Sequence, residues 1–195
     1  MGRQVIILLG LVLIAALIIW PVFSPAGVSE TLVNVKSDLD GDGITDEYSL
    51  KGDRITVWEK DRVLWKSPNA WRVQAFALGD VDNDGRMNLA VSLWKQGSFG
   101  ETLPFWHKGK DKSYKNHLFI YKLVDDSFKP VWCSSNLDHP IVSLTISDIN
   151  SDGLNELIVE EGQYRKVFGE RYSLDESAPM RSTVWQWDQW GFWLK

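Results

Sequence analysis

Three stretches of nine residues hold most of the clustered acid in this chain: Asp38-Leu-Asp-Gly-Asp-Gly-Ile-Thr-Asp46, Asp80-Val-Asp-Asn-Asp-Gly-Arg-Met-Asn88 and Asp148-Ile-Asn-Ser-Asp-Gly-Leu-Asn-Glu156. Positions 1, 3, 5 and 9 are Asp38, Asp40, Asp42 and Asp46 in the first, Asp80, Asp82, Asp84 and Asn88 in the second, and Asp148, Asn150, Asp152 and Glu156 in the third. Position 6 is glycine each time, as Gly43, Gly85 or Gly153. This spacing suits a hard cation. Ca²⁺ takes about six to eight oxygen ligands, and a tight loop can aim those side chains and the carbonyl of position 7 at one point if glycine makes the turn. Ile44, Arg86 and Leu154 would supply the carbonyls. The alternative is acidic hairpin turns without metal, since Asp, Asn and Gly are also ordinary turn residues. Three copies in register favour the metal. The first loop, with four carboxylates, is expected to bind most tightly, since the other two each have three and an amide.

An EF-hand needs a bidentate Glu at position 12 and a helix on each side, but position 12 is Ser49, Val91 or Val159. The flanks read as strands instead. Residues 73–78 and 141–146 before the loops, and 88–94 and 155–160 after them, are short, aliphatic and β-branched. Each loop therefore joins two antiparallel strands. The pattern D-x-[DN]-x-[DN]-G-x-x-[DNE] between strands, as in Leu78-Gly-Asp80-Val-Asp82-Asn-Asp84-Gly85 and Ile146-Ser-Asp148-Ile-Asn150-Ser-Asp152-Gly153, resembles the FG-GAP/VCBS repeat family. These are calcium-bearing propeller repeats also found in integrin alpha chains. The resemblance spans residues 31–195 and lacks the full Phe-Gly…Gly-Ala-Pro signature, which favours the shorter VCBS-like variant. It implies Ca²⁺ as the cofactor and a propeller-like sheet array.

The segments between the loops repeat as well. Residues 54–67, 118–134 and 183–193 each read as a hairpin with an aromatic residue in each arm. A hairpin followed by a strand, a loop and a strand makes a four-stranded sheet like one propeller blade. On that reading residues 54–94 and 118–160 form two units, and the third is split between 32–50 and 183–194, closing the domain by pairing the chain ends. The expected fold is all-β: a propeller-like array of three four-stranded antiparallel sheets with Ca-binding loops, plus one N-terminal transmembrane helix. Two chains assembling into a larger ring is the competing arrangement, a homo-oligomer. Trp58, Trp65, Trp94, Trp132, Trp185 and Trp193 fall at strand positions and are expected to pack in the core.

Residues 1–23 set the compartment. Arg3 precedes an unbroken apolar run from Val5 to Trp20, long enough at 1.5 Å per residue to span roughly 24 Å. This reads as an uncleaved signal anchor that leaves the following domain outside the cytoplasm. Residues 24–30 make a linker, and Ser24-Pro-Ala26 offers a cleavage site for an alternative, secreted form. The single cysteine, Cys133, excludes an internal disulfide. The net charge of −5 and the export signal disfavour nucleic acid as a partner.

Two insertions follow the strands after the second and third loops, residues 95–117 and 162–182. The first holds five lysines against two acids and the second four basic residues against three acids, each with several aromatic rings. Propeller-like packing would bring both to one rim. Trp106, Lys108, Lys110, Tyr164, Arg165 and Arg171 are the expected contacts for a ligand such as an anionic glycan, a cell-wall polymer or a protein partner. The alternative is a solvated lysine-rich loop. A hydrolase or lyase acting on polysaccharide is the competing function, with His107, His117 and His139 available. Most clustered acids, however, are claimed by the loops, and no P-loop, G-x-S-x-G or H-E-x-x-H motif is present. A binding or scaffold module therefore ranks above an enzyme. N-terminal sequencing of the mature protein tests the anchor: Met1 or Gly2 is expected, and a start at Gly27 would mean cleavage and release.

Overall fold

The computed structural model describes residues 32–100, 105–108 and 111–195. The expected anchor and linker (1–23 and 24–30) lie outside the described residues. Among the described residues every regular element is a strand, and no helix is long and apolar enough to cross a membrane. In chain order, β1 (Leu32–Ser37), β2 (Asp46–Lys51), β3 (Arg54–Glu59) and β4 (Arg62–Lys66) form the first antiparallel sheet in that order. Then β5 (Arg72–Gly79), β6 (Asn88–Gln96), β7 (Tyr114–Val124) and β8 (Ser127–Cys133) build a second meander. The third sheet begins with β9 (Ile141–Ser147) and β10 (Glu156–Glu161). The chain next makes a separate hairpin, β11 (Tyr164–Phe168) and β12 (Arg171–Leu174), which joins the second sheet through a short parallel pairing of Arg171 with Tyr114. It returns to complete the third sheet with β13 (Arg181–Asp188) and β14 (Gly191–Leu194).

Three sheets were expected, and each acidic loop does join two antiparallel strands. The framing of the units differs. Each aromatic hairpin pairs with the strand before it, so a unit runs strand, loop, strand, hairpin. Turn length decides this. Only Gly52 and Asp53 separate β2 from β3, which forces them side by side, with Gly52 taking a left-handed φ of 61°. The link from β4 to β5 is longer and holds Pro68, which cannot donate to a ladder. The expected split unit is therefore corrected: β1 belongs to the first sheet and β14 to the third, and these two strands do not pair. The second sheet also has six strands, since it recruits the β11–β12 hairpin.

The second sheet is the middle layer. Along β6, Leu89, Val91 and Leu93 pack toward the first sheet with Tyr48, Leu50, Ile55 and Val57, while Ala90 packs toward the third with Ile141, Leu157 and Val159. β7 alternates in the same way, Phe119 and Tyr121 one way and Leu118 and Ile120 the other. A strand covered on both faces needs an almost continuous apolar sequence, which is what β6 and β7 carry. Trp65 and Trp94 pack inside, as does Trp71, which precedes a strand and was not expected there. Trp132 and Trp185 pack against the second core cluster. Trp193 is corrected: it lies on the edge strand β14 and is 66% exposed.

Polar groups are also sealed into β7. His117 is fully buried, and its Nδ1–H donates to the Ser134 carbonyl at 3.2 Å. Burial, then the nearby Lys95 charge, pushes its pKa down to about 4. Between that value and the ordinary 6.5 the unfolded chain binds the proton that the folded chain resists, so this residue's contribution to stability is lost as pH falls through the window. The stability of the wild type relative to His117→Gln is expected to drop on acidification from pH 7 to about 4.5, by on the order of 2 kcal/mol. Urea unfolding of both proteins across that range reads the difference.

Candidate metal centres

The three acidic loops share one backbone. Positions 4 and 6 are left-handed in each: Gly41 and Gly43 at φ 77° and 86°, Asn83 and Gly85 at 57° and 86°, Ser151 and Gly153 at 60° and 85°. The position-6 amide donates to the position-1 carboxylate at 2.9, 2.8 and 2.9 Å. The position-7 amide donates to the position-5 carboxylate at 2.7, 3.0 and 2.8 Å. These amides fix the carboxylates despite their mutual repulsion. Asp38, Asp40 and Asp42, and likewise Asp80, Asp82 and Asp84, each place one oxygen within 4.8 Å of the others. In the third loop Asn150 stands at position 3, and its amide donates to Asp152 at 2.9 Å. Ile44, Arg86 and Leu154 occupy position 7, directly after the turn glycine.

Position 9 forms the inner wall. Asp46, Asn88 and Glu156 are buried while the turn at positions 5 and 6 of each loop is exposed. Asn88 accepts the Val81 amide at 2.8 Å and Glu156 accepts the Ile149 amide at 3.2 Å, so each reaches back to position 2 and closes its loop from inside. Burial raises the Asp46 carboxyl to about 6, against the hydrogen bond that Tyr48 donates at 3.3 Å. Asp40 is also raised, by burial and by the charges of Asp42 and Asp38. A cation in the first loop would relieve both.

Two loops receive an ammonium from the protein itself. Lys122 reaches from β7 to donate to Asp82 at 2.8 Å and to Asp84, which holds the Asp84 carboxyl below its ordinary range. Lys195 donates to Glu156 at 2.8 Å. Among the described residues no lysine or arginine pairs with Asp38, Asp40 or Asp42. In the second loop the compensation is incomplete. Asp82 is only 7% exposed, and its Oδ1 is buried with no hydrogen-bond partner among the described residues. An unpartnered buried carboxylate oxygen is costly and calls for a cation or a donor. The donor sets of the first two loops are therefore ones that could hold a hard, oxygen-seeking ion.

The loops are also tied together, by residues that sequence reasoning did not single out. Asn155 donates its backbone amide to Asn83 Oδ1 at 2.7 Å and its side-chain amide to the Asp80 carbonyl at 2.8 Å, and Asn83 donates back to the Asn155 carbonyl at 3.1 Å. Ser37 at the end of β1 donates to Met87 Sδ at 3.6 Å. Asparagine at position 4 signals a left-handed turn. Nothing local signals that it bridges to a residue of another loop 72 positions away.

The two insertions do meet. Arg171 lies over the Tyr114 ring with its guanidinium carbon 4.0 Å from the centroid, and Lys115 Nζ sits 4.6 Å from the Tyr164 ring and 5.0 Å from Tyr172. Of the six expected contacts, Arg165, Arg171, Lys108 and Trp106 are exposed, Trp106 at 66% beside the 93% exposed Phe105. Lys110 lies outside the described residues. Tyr164 is half-buried, its hydroxyl donating to the Leu137 carbonyl at 3.0 Å and accepting the Asn116 amide at 3.2 Å. The histidines are dispersed: His117 in the core, His107 against Phe99 in a shallow cavity with Asp111, and His139 in another with Asp138 and Glu161. No family model matches this chain, and no curated protein matches it.

Lys122 competes with any cation for Asp82 and Asp84. Lys122→Met is expected to tighten divalent-cation binding at the second loop by about tenfold and to destabilise the cation-free domain by about 3 kcal/mol, since it strips the partner from a buried carboxylate. Calcium titration calorimetry and urea unfolding in chelator read the two effects.

Proposed function

We propose that this chain is a membrane-anchored, extracytoplasmic calcium-binding repeat module of the FG-GAP/VCBS type, which acts as a binding or scaffold protein. The observation that carries this reading is the loop built three times on one backbone, with the second copy holding the orphaned Asp82 Oδ1. Asp38, Asp40, Asp42, Asp46 and the Ile44 carbonyl would hold Ca²⁺ in the first loop. Asp80, Asp82, Asp84, Asn88 and the Arg86 carbonyl would do so in the second, and Asp148, Asn150, Asp152, Glu156 and the Leu154 carbonyl in the third. Calcium there supplies charge neutralisation, not chemistry on a substrate: it lets three crowded acidic turns lie side by side.

The same reading takes the three sheets as a propeller-like array and the two insertions as its ligand-facing rim. Support for a binding role comes from the exposed basic and aromatic side chains of the two insertions, Arg165, Arg171, Lys108 and Trp106 among them. The apolar run at residues 5–20 supports the anchor and the extracytoplasmic placement. Outside the cytoplasm, calcium at about 10⁻³ M would load even weak sites. Millimolar Ca²⁺ should then raise the melting temperature over that in chelator, by several degrees for a domain of this size. Identical melting with and without the ion, at matched ionic strength, would rule the calcium reading out.

A further inference from the structure

A cleft of about 470 Å³ opens between the β11–β12 hairpin and the end of the second sheet where β5 begins. We propose that this cleft binds an acidic saccharide, taking the sugar carboxylate on Arg165, Arg171 and Ser173 and the sugar hydroxyls on Asp53, Gln74 and Glu176. The proposal rests on the reading of the domain as a binding module and is independent of what fills the acidic loops.

Strand geometry brings the acid-binding groups together. Arg165 and Ser173 are cross-strand partners in the hairpin, and Arg171 is two residues from Ser173 on the same face of β12. All three line the cleft, with Arg72 opposite. Arg171 is held in place by lying on Tyr114, and a planar guanidinium held this way can meet a carboxylate through its N–H edge. Tyr114 in turn stacks on Trp94 at 6.3 Å and 18°, and the Trp94 indole N–H donates to Gln74 Oε1 at 3.2 Å. This is a built wall. The Ser173 hydroxyl is buried with no partner among the described residues, an unsatisfied group that a ligand oxygen would satisfy.

Charge selects the class of ligand. Arg72, Arg165 and Arg171 face Asp53 and Glu176, an excess of one positive charge, and Arg72 is already bonded to Asp53 at 3.1 Å. One net charge matches the single carboxylate of one sugar residue, with the next sugar's carboxylate left in solvent, and falls short of the two charges a phosphate dianion concentrates on one group. Asp53 and Glu176 would repel phosphate, whereas carboxylate and amide oxygens are good acceptors for sugar hydroxyls. The cavity volume is in the range of pockets that enclose a small ligand. Because Arg171 and Trp94 cover Tyr114, ring stacking contributes little. Affinity should follow the acid.

The test is calorimetric titration of the full-length protein in detergent with digalacturonic acid, its dimethyl ester and inorganic phosphate, in calcium and in chelator. The diacid is expected to bind, and the ester, which keeps the rings but loses the charge, to bind at least about tenfold more weakly. Arg165→Gln and Arg171→Gln should each weaken the diacid about tenfold, and Ser173→Ala about threefold with no fall in melting temperature, since its hydroxyl has no protein partner to lose. Equal binding of the ester, equal or tighter binding of phosphate, no heat with the diacid, or unchanged binding by Arg165→Gln would each overturn the proposal. The two readings fail separately: a calcium-dependent melting shift without diacid binding sinks only the cleft, and diacid binding without a melting shift sinks only the calcium sites.

Discussion

The repulsion among three clusters of carboxylates held along adjacent sheets is the constraint that the rest of the domain must meet. Left alone, the oxygens that lie within 4.8 Å of one another in the first two would splay those loops apart. Backbone amides at positions 6 and 7 oppose this from below, Asn88 and Glu156 hold their loops closed by accepting the position-2 amides, and Lys122 and Lys195 oppose it from neighbouring strands. Each device is anchored in the core: position 9 is the first residue of β2, β6 or β10, so a shift of the loop would displace a strand that packs between sheets.

That coupling explains why the middle sheet is the most apolar. β6 and β7 are covered on both faces, and between them they carry the anchor of the second loop, the lysine that neutralises it and the buried His117. Charge compensation is unequal as a result. The second loop is partly neutralised from inside, the third is met by the last residue of the chain, and the first holds its acids with two carboxyls raised above their ordinary range. Loops with a common backbone therefore differ in electrostatic character because of what lies across from them.

The opposite role falls to the β11–β12 hairpin. It leaves the third sheet and is held on the second by one parallel pairing, the Glu170 carbonyl that accepts the Tyr114 amide at 3.0 Å, the Tyr164 hydroxyl that accepts the Asn116 amide, and the contacts of Arg171 with Tyr114 and of Lys115 with Tyr164 and Tyr172. Gly162, at the point of departure, passes so close to Leu174 that an added Cβ would lie 2.5 Å from its methyl group. Such a bridge between layers adds little core but creates a concave wall lined by guanidinium groups.

The amino-acid sequence alone determined the local features: the loops, the strands on either side and the all-β class. Their signals, a turn glycine and the period-2 alternation of strands, act over fewer than about ten residues. Which strand each aromatic hairpin joins was decided by tertiary structure, because a half-buried strand presents the same alternation to a partner on either side, and the short Gly52-Asp53 turn selected one. Trp71 went inside and Trp193 to an edge for the same reason: burial belongs to the layer above a strand, not to the strand's own pattern. Lys122 and Asn155 lie 40 and 75 residues from the loop atoms they bind. Their roles arise only when the sheets stack, since no spacing in the chain encodes a contact across layers.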